Sequence, residues 1–96
     1  MGLYFQKQLE YRVAIRMYTE ALRDNPEDAR ILNALGVALD QTGQHVRAEK
    51  AYRDALELEP NLALTLNNLG YCRLLQGRPQ DAVAPLRKAV SLQRKK

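Results

Sequence analysis

The sequence predicts an all-α stack of helical hairpins, about two and three-quarter repeats long, and three observations carry that prediction. The chain superimposes on itself when shifted by 34 residues. Within each period the apolar residues fall in two stripes at helical spacing. Glycine and proline punctuate those stripes at matching places.

The register is visible residue by residue. A shift of 34 sets Ala29 on Ala63, Leu32 on Leu66, Asn33 on Asn67 and Leu35-Gly36 on Leu69-Gly70. It also sets Gly43 on Gly77, Ala48 on Ala82, Ala55 on Ala89 and Leu58 on Leu92. The opposite shift pairs Ala14 with Ala48, Tyr18 with Tyr52, Ala21 with Ala55 and Pro26 with Pro60. Periods of this length mark stacked supersecondary units. They divide the chain into a partial first repeat over 1–28, which starts midway through its first helix, a second over 29–62 and a third over 63–96 that ends in a basic tail.

The second repeat shows the plan. Ile31, Leu32, Leu35, Ala38 and Leu39 lie on one face of a helix expected over 28–42. Gly43 supplies the left-handed conformation that ends it. A second helix follows over 45–58, with Ala48, Ala51, Tyr52, Ala55 and Leu56 inward, and Pro60 stops it. The third repeat copies this with a helix over 62–76, a Gly77 stop and a helix opening at Pro79, where the missing N–H costs little. Gly36 is expected to face Ala48, and Gly70 to face Ala82, so that paired helices approach closely. Ala21, Ala55 and Ala89 play the same part toward the next hairpin, while Leu32, Leu35, Tyr52, Leu66, Leu69 and Leu86 fill the layers between. No hairpin buries its own apolar face, so neighbours must stack.

These residues resemble the tetratricopeptide repeat family over the whole chain. The second repeat supplies Leu32, Leu35-Gly36, Leu39, Ala48, Tyr52, Ala55 and Pro60 for the family pattern. The third supplies Leu66, Leu69-Gly70, Ala82, Leu86 and Ala89, with Arg73 and Arg94 departing; the first supplies Gly2, Phe5, Ala14, Tyr18, Ala21 and Pro26. The resemblance implies a right-handed helical-hairpin solenoid that binds protein or peptide and acts as a scaffold, without catalysis. Two further departures are Leu9, at the turn position held elsewhere by Gly43 and Gly77, and Pro85, inside the last helix. Leu9 predicts a strained or reshaped turn. Pro85 predicts a kink or a lost hydrogen bond.

In the family the first helices of successive hairpins line a concave groove. The implied groove residues are Arg30, Asn33, Val37 and Asp40 in the second repeat and Asn67, Asn68, Tyr71 and Leu74 in the third, with Ala34, Gln41, Leu64 and Leu75 beside them. Asn33 and Asn67 stand one repeat apart, and a primary amide can both donate to and accept from a peptide backbone. The alternative for them is hydrogen bonding between helices. Tyr71, Leu74 and Leu75 make an apolar patch that either anchors a partner or lies under a further hairpin. The residues of the chaperone-tail carboxylate clamp are missing, and Ala34 interrupts an asparagine ladder.

The remaining features point away from other classes. The net charge of +4 is uneven: residues 63–96 hold seven basic residues and one acid, whereas 1–62 hold eight basic and ten acidic. A basic tail explains this more simply than a nucleic-acid site, which needs a basic stripe interleaved with aromatics. The one cysteine, Cys72, excludes an internal disulfide; it aligns with Ala38 and is expected as an inert buried thiol. His45 is expected as a packing residue, and the sequence offers no acid pair combined with His or Cys at metal-ligand spacing. No metal site, cofactor or enzymatic activity is expected. With neither a signal peptide nor a membrane span in evidence, the expected compartment is the cytoplasm. The apolar ends, Leu3 and Phe5 at one side and Val83, Leu86 and Val90 at the other, lead to the alternative expectation of a fragment of a longer array, or of a homo-oligomer joined end to end.

Overall fold

A computed structural model describes residues 2–94. Lys95 and Lys96, two of the three residues of the basic tail, lie outside the described residues. The chain forms α1 (Gly2–Asp24), α2 (Ala29–Gln41), α3 (His45–Leu58), α4 (Ala63–Leu75) and α5 (Pro79–Arg94). Each helix packs on the next in chain order, and α2 also touches α4, as stacked hairpins require. None of the described helices is long and apolar enough to cross a membrane.

The turns follow from their glycines. Gly43 and Gly77 adopt φ of 80° and 73°. At the first, Gly43 N–H donates to Asp40 C=O at 3.0 Å and Gln44 N–H to Leu39 C=O at 2.8 Å. At the second, Gly77 N–H donates to Leu74 C=O and Arg78 N–H to Arg73 C=O, both at 2.9 Å. This paired closure satisfies carbonyls that a helix end otherwise leaves open. Asp28 caps the other end of α2, its carboxylate accepting from the N–H groups of Arg30 and Ile31 at 3.0 and 3.1 Å.

No turn forms at Leu9, contrary to the sequence expectation. Gly2–Asp24 is one continuous helix. A left-handed leucine costs about 1–2 kcal/mol, and the surrounding Gln6-Lys7-Gln8-Leu9-Glu10 are good helix formers. Continuing the helix is therefore the lower-energy course.

The core lies where α2, α3 and α4 meet. Leu39, Ala48, Tyr52, Leu69 and Cys72 form its centre, with Ile15, Leu35, Val37 and Leu56 packed against it. Ala29, Leu32 and Ala55 form a second cluster beside Leu22 and Leu62. Gly36 opens space chiefly for Tyr52 rather than Ala48: a Cβ there would lie 2.7 Å from Tyr52 Cδ1. At Gly70 the space belongs to Leu86, whose Cγ would be 2.5 Å away, with the Ala82 carbonyl oxygen at 3.3 Å. The glycines thus receive large side chains from the partner helix, and the alanines permit the approach.

Two departures from the repeat explain each other. Helix α5 runs through Pro85, which is buried. Proline has no N–H for the carbonyl four residues back, which is that of Asp81. Arg73 Nη1 donates to this carbonyl at 3.1 Å. Arg73, standing where the second repeat has Leu39, thereby satisfies a group that Pro85 leaves open.

The same arginine belongs to a polar cluster around Glu49. The Glu49 carboxylate accepts from Arg73 Nη2 at 3.2 Å, Arg78 Nη1 at 2.8 Å and Gln76 Nε2 at 2.9 Å. Burial would raise its pKa, but the hydrogen bonds from Gln76, Arg78 and Arg73, with the Arg73 charge, outweigh that and hold it below the ordinary 4.5. A depressed folded pKa contributes stability above the unfolded value and loses it as pH falls through the folded one. Thermal melts from pH 6 downward should therefore show stability declining below about pH 4.5, and Glu49→Gln should flatten this part of the decline. An unchanged pH profile in that variant would remove Glu49 as a contributor.

Candidate binding groove

Helices α2 and α4 stand side by side as the first helices of successive hairpins, and a cleft of about 330 Å³ opens between them. Val37, Asp40 and Gln41 line it from α2, and Asn68, Tyr71 and Leu75 line it from α4. His45 and Tyr52 of α3 reach its floor. The lining is mixed: exposed ring and leucine surface beside amides. Tyr71 is 60% exposed and Leu75 49%.

The expected groove residues occupy different settings. Asn33 is tied between helices, its Oδ1 accepting from Thr65 Oγ1 at 2.9 Å and Asn68 Nδ2 at 3.1 Å. Its carbonyl oxygen is thus engaged in fixing α2 against α4, the alternative the sequence left open. Asn67, one repeat later, is exposed and lies in a separate hollow with Leu64 and Leu92. The two asparagines therefore do not share one hollow. The reason is positional, because Asn33 has α4 to bond to, whereas no described helix follows α5 to meet Asn67. Arg30 is exposed and shares a further hollow with Asn33, Leu62, Leu64 and Thr65. Val37 is half-buried and leans on the core. Leu74 is 44% exposed and stands outside the cleft, where Leu75 takes the place beside Tyr71.

Asp40 lines the cleft, but its carboxylate is engaged by neighbouring side chains. Its side chain is only 9% exposed. Oδ2 accepts from Tyr52 Oη at 3.0 Å, and Oδ1 lies 2.7 Å from His45 Nδ1. His45 is accordingly a polar partner and not merely a packing residue. Cys72 is fully buried beside them, its Sγ donating to the His45 carbonyl at 3.4 Å, and burial together with Asp40 pushes the thiol pKa up to about 12. Such a thiol is protonated and unreactive as a nucleophile at neutral pH.

The structure also brings together three polar side chains whose proximity no sequence spacing displays. Asp40, His45 and Cys72 bring one ligating atom each to within 4.8 Å of one another. The spacing was illegible because Cys72 arrives from the next repeat, on a different helix. Its alignment with the buried Ala38 was the available signal, since it placed the thiol against the preceding hairpin.

Stacked helical hairpins joined by glycine turns, with a cleft between successive first helices, define the class as a helical-repeat solenoid. Tetratricopeptide repeat family models match residues 1–63 and 51–84, and the chain belongs to that family. It is 34% identical over 80 residues to human tetratricopeptide repeat protein 7A, covering 83% of this chain and 9% of that protein. It is 30% identical over 92 residues to the peroxisomal targeting signal receptor of Candida glabrata, covering 96% of this chain and 16% of the receptor. Photosystem I assembly protein Ycf3 of Acaryochloris marina is 34% identical over 91 residues, covering 92% and 55%. Among solved structures, "MamA MSR-1 C2" superimposes with a TM-score of 0.85 at 28% identity, covering 96% of this chain and 52% of that one. The chain thus spans only part of each of these relatives.

Proposed function

We propose that this chain is a protein–protein interaction module that holds a peptide or protein surface in the concave groove between α2 and α4. The observation that carries the reading is the solvent-facing Tyr71–Leu75 surface set against the amides of Gln41 and Asn68 in one cleft. An aromatic ring beside apolar surface anchors a partner side chain, and amides bond its backbone. A volume of about 330 Å³ suits one or two side chains of a longer ligand. Membership of a repeat family whose relatives include a targeting signal receptor and an assembly protein supports the same role.

Binding segments selected from a displayed random-peptide library on the immobilised protein supply the test. Tyr71→Ala should weaken a selected segment about 30-fold, the scale of losing a hot-spot side chain of about 2 kcal/mol. Tyr71 is exposed, so the variant keeps its fold. Equal affinity of wild type and variant for every selected segment would overturn the groove reading.

A second reading rests on α1. Phe5, Leu9, Val13 and Met17 recur every fourth residue and are each at least half exposed, forming one apolar ridge. Such a ridge suits self-association with a second copy. Sedimentation over an approximately tenfold concentration range should then show a dimer that Val13→Asp dissociates. A monomer throughout the range would exclude it.

A further inference from the structure

Three polar residues from three helices meet beneath the cleft: Asp40 from α2 and His45 from the first turn of α3, which line it, and the fully buried Cys72 from α4. Repeat geometry alone does not call for them. One period later the positions of Asp40 and His45 are held by Leu74 and Pro79, so the repeat does not require polar residues there. A carboxylate, an imidazole and a thiol have instead been gathered at one point of the core boundary.

We propose that Asp40, His45 and Cys72 form a binding site for a single divalent zinc-type cation, with a fourth coordination position open to the cleft. Mixed oxygen, nitrogen and sulfur donors suit a borderline-soft ion, with tetrahedral bonds of about 2.0–2.3 Å. Ligand atoms around such an ion stand roughly 3.2–3.6 Å apart. The present separations bracket that range: 2.7 Å between Asp40 Oδ1 and His45 Nδ1, and at most 4.8 Å over the set. Side-chain adjustment of about 1 Å brings all three onto one ion, well within rotamer motion of the partly exposed imidazole.

Two outer partners hold the ligands. Tyr52 Oη donates to the Asp40 oxygen that does not face His45, which fixes the carboxylate plane. Gln76 Nε2 lies 3.6 Å from Cys72 Sγ, placed to donate to a thiolate. Hydrogen bonds of this kind orient metal ligands and tune their donor strength. On binding, the thiol proton leaves for solvent, and the ion is neutralised by one carboxylate and one thiolate. Three protein ligands leave one position, and the cleft lined by Asp40 and His45 gives water or an exogenous donor access to it. The three protein ligands belong to this chain alone, so the assignment stands apart from the proposed peptide binding, although a bound peptide would share the cleft onto which the fourth position opens.

Cobalt(II) and zinc(II) titrations of the reduced full chain test the assignment. The expected result is one equivalent of cobalt giving a thiolate-to-cobalt charge-transfer band and intense tetrahedral visible absorption, both removed by zinc. Cys72→Ser should lose the charge-transfer band, and His45→Gln should bind cobalt at least about tenfold more weakly. Zinc should raise the melting temperature of the wild type more than that of His45→Gln. His45 is at the surface end of the cluster, so its variant decides the matter even if Cys72→Ser fails to fold. Absence of a charge-transfer band with cobalt in about tenfold excess, or an equal response from His45→Gln, would overturn the proposal.

Discussion

Tyr52→Ala should destabilise the protein by about 3–5 kcal/mol, the usual scale for truncating a buried aromatic. The ring is 1% exposed and sits at the centre of the main core cluster, over the hydrogen-only surface of Gly36. Truncation leaves a void that the glycine cannot fill and removes the hydroxyl that donates to Asp40. A domain of this size has a stability of only about 5–15 kcal/mol, and a short chain lies toward the low end. Urea unfolding followed by far-UV circular dichroism measures the loss. Tyr52→Phe separates the two contributions, since it keeps the ring and forfeits one hydrogen bond, at about 1–2 kcal/mol. A Tyr52→Ala variant within about 1 kcal/mol of wild type would contradict the packing described.

Arg73→Leu should also destabilise, by about 2–3 kcal/mol, although leucine is what the preceding repeat carries at this position. The substitution removes a donor from Glu49 and reopens the Asp81 carbonyl. The second of these effects exists only because residue 85 is proline. In a Pro85→Ala background the residue-85 N–H is available to Asp81, so Arg73→Leu should cost about 1 kcal/mol less there. A double-mutant cycle by urea unfolding reads this coupling directly. Additivity of the two substitutions would show that Arg73 does not stand in for the missing helix bond.

The parts of the fold governed by local rules were legible in the sequence. Gly43 and Gly77 terminate helices because their turns need positive φ, and the 34-residue register located the helices that follow. Leu9 misled because its repeat position implied a turn while its own chemistry favours helix, and the chain obeys the latter. Arg73 and Pro85 each read as a defect alone; their complementarity emerges only when α4 and α5 are paired in space. At the α2–α4 cleft, repeat position put Tyr71 and Asn68 on one face of α4 but could not show that Asn33 would be tied to Thr65, or Asp40 to Tyr52 and His45. Those bonds join different helices, across as many as 32 positions, so they are properties of the stack and not of any one helix.

The most direct test of the groove assignment is an amide chemical-shift map recorded while a library-selected peptide is titrated into labelled protein. The groove assignment predicts that the largest changes fall on Val37, Gln41, Asn68, Tyr71 and Leu75, the residues facing the α2–α4 cleft. Changes concentrated instead on exposed residues of the second helices, such as Val46, Arg53 and Arg87, would contradict it.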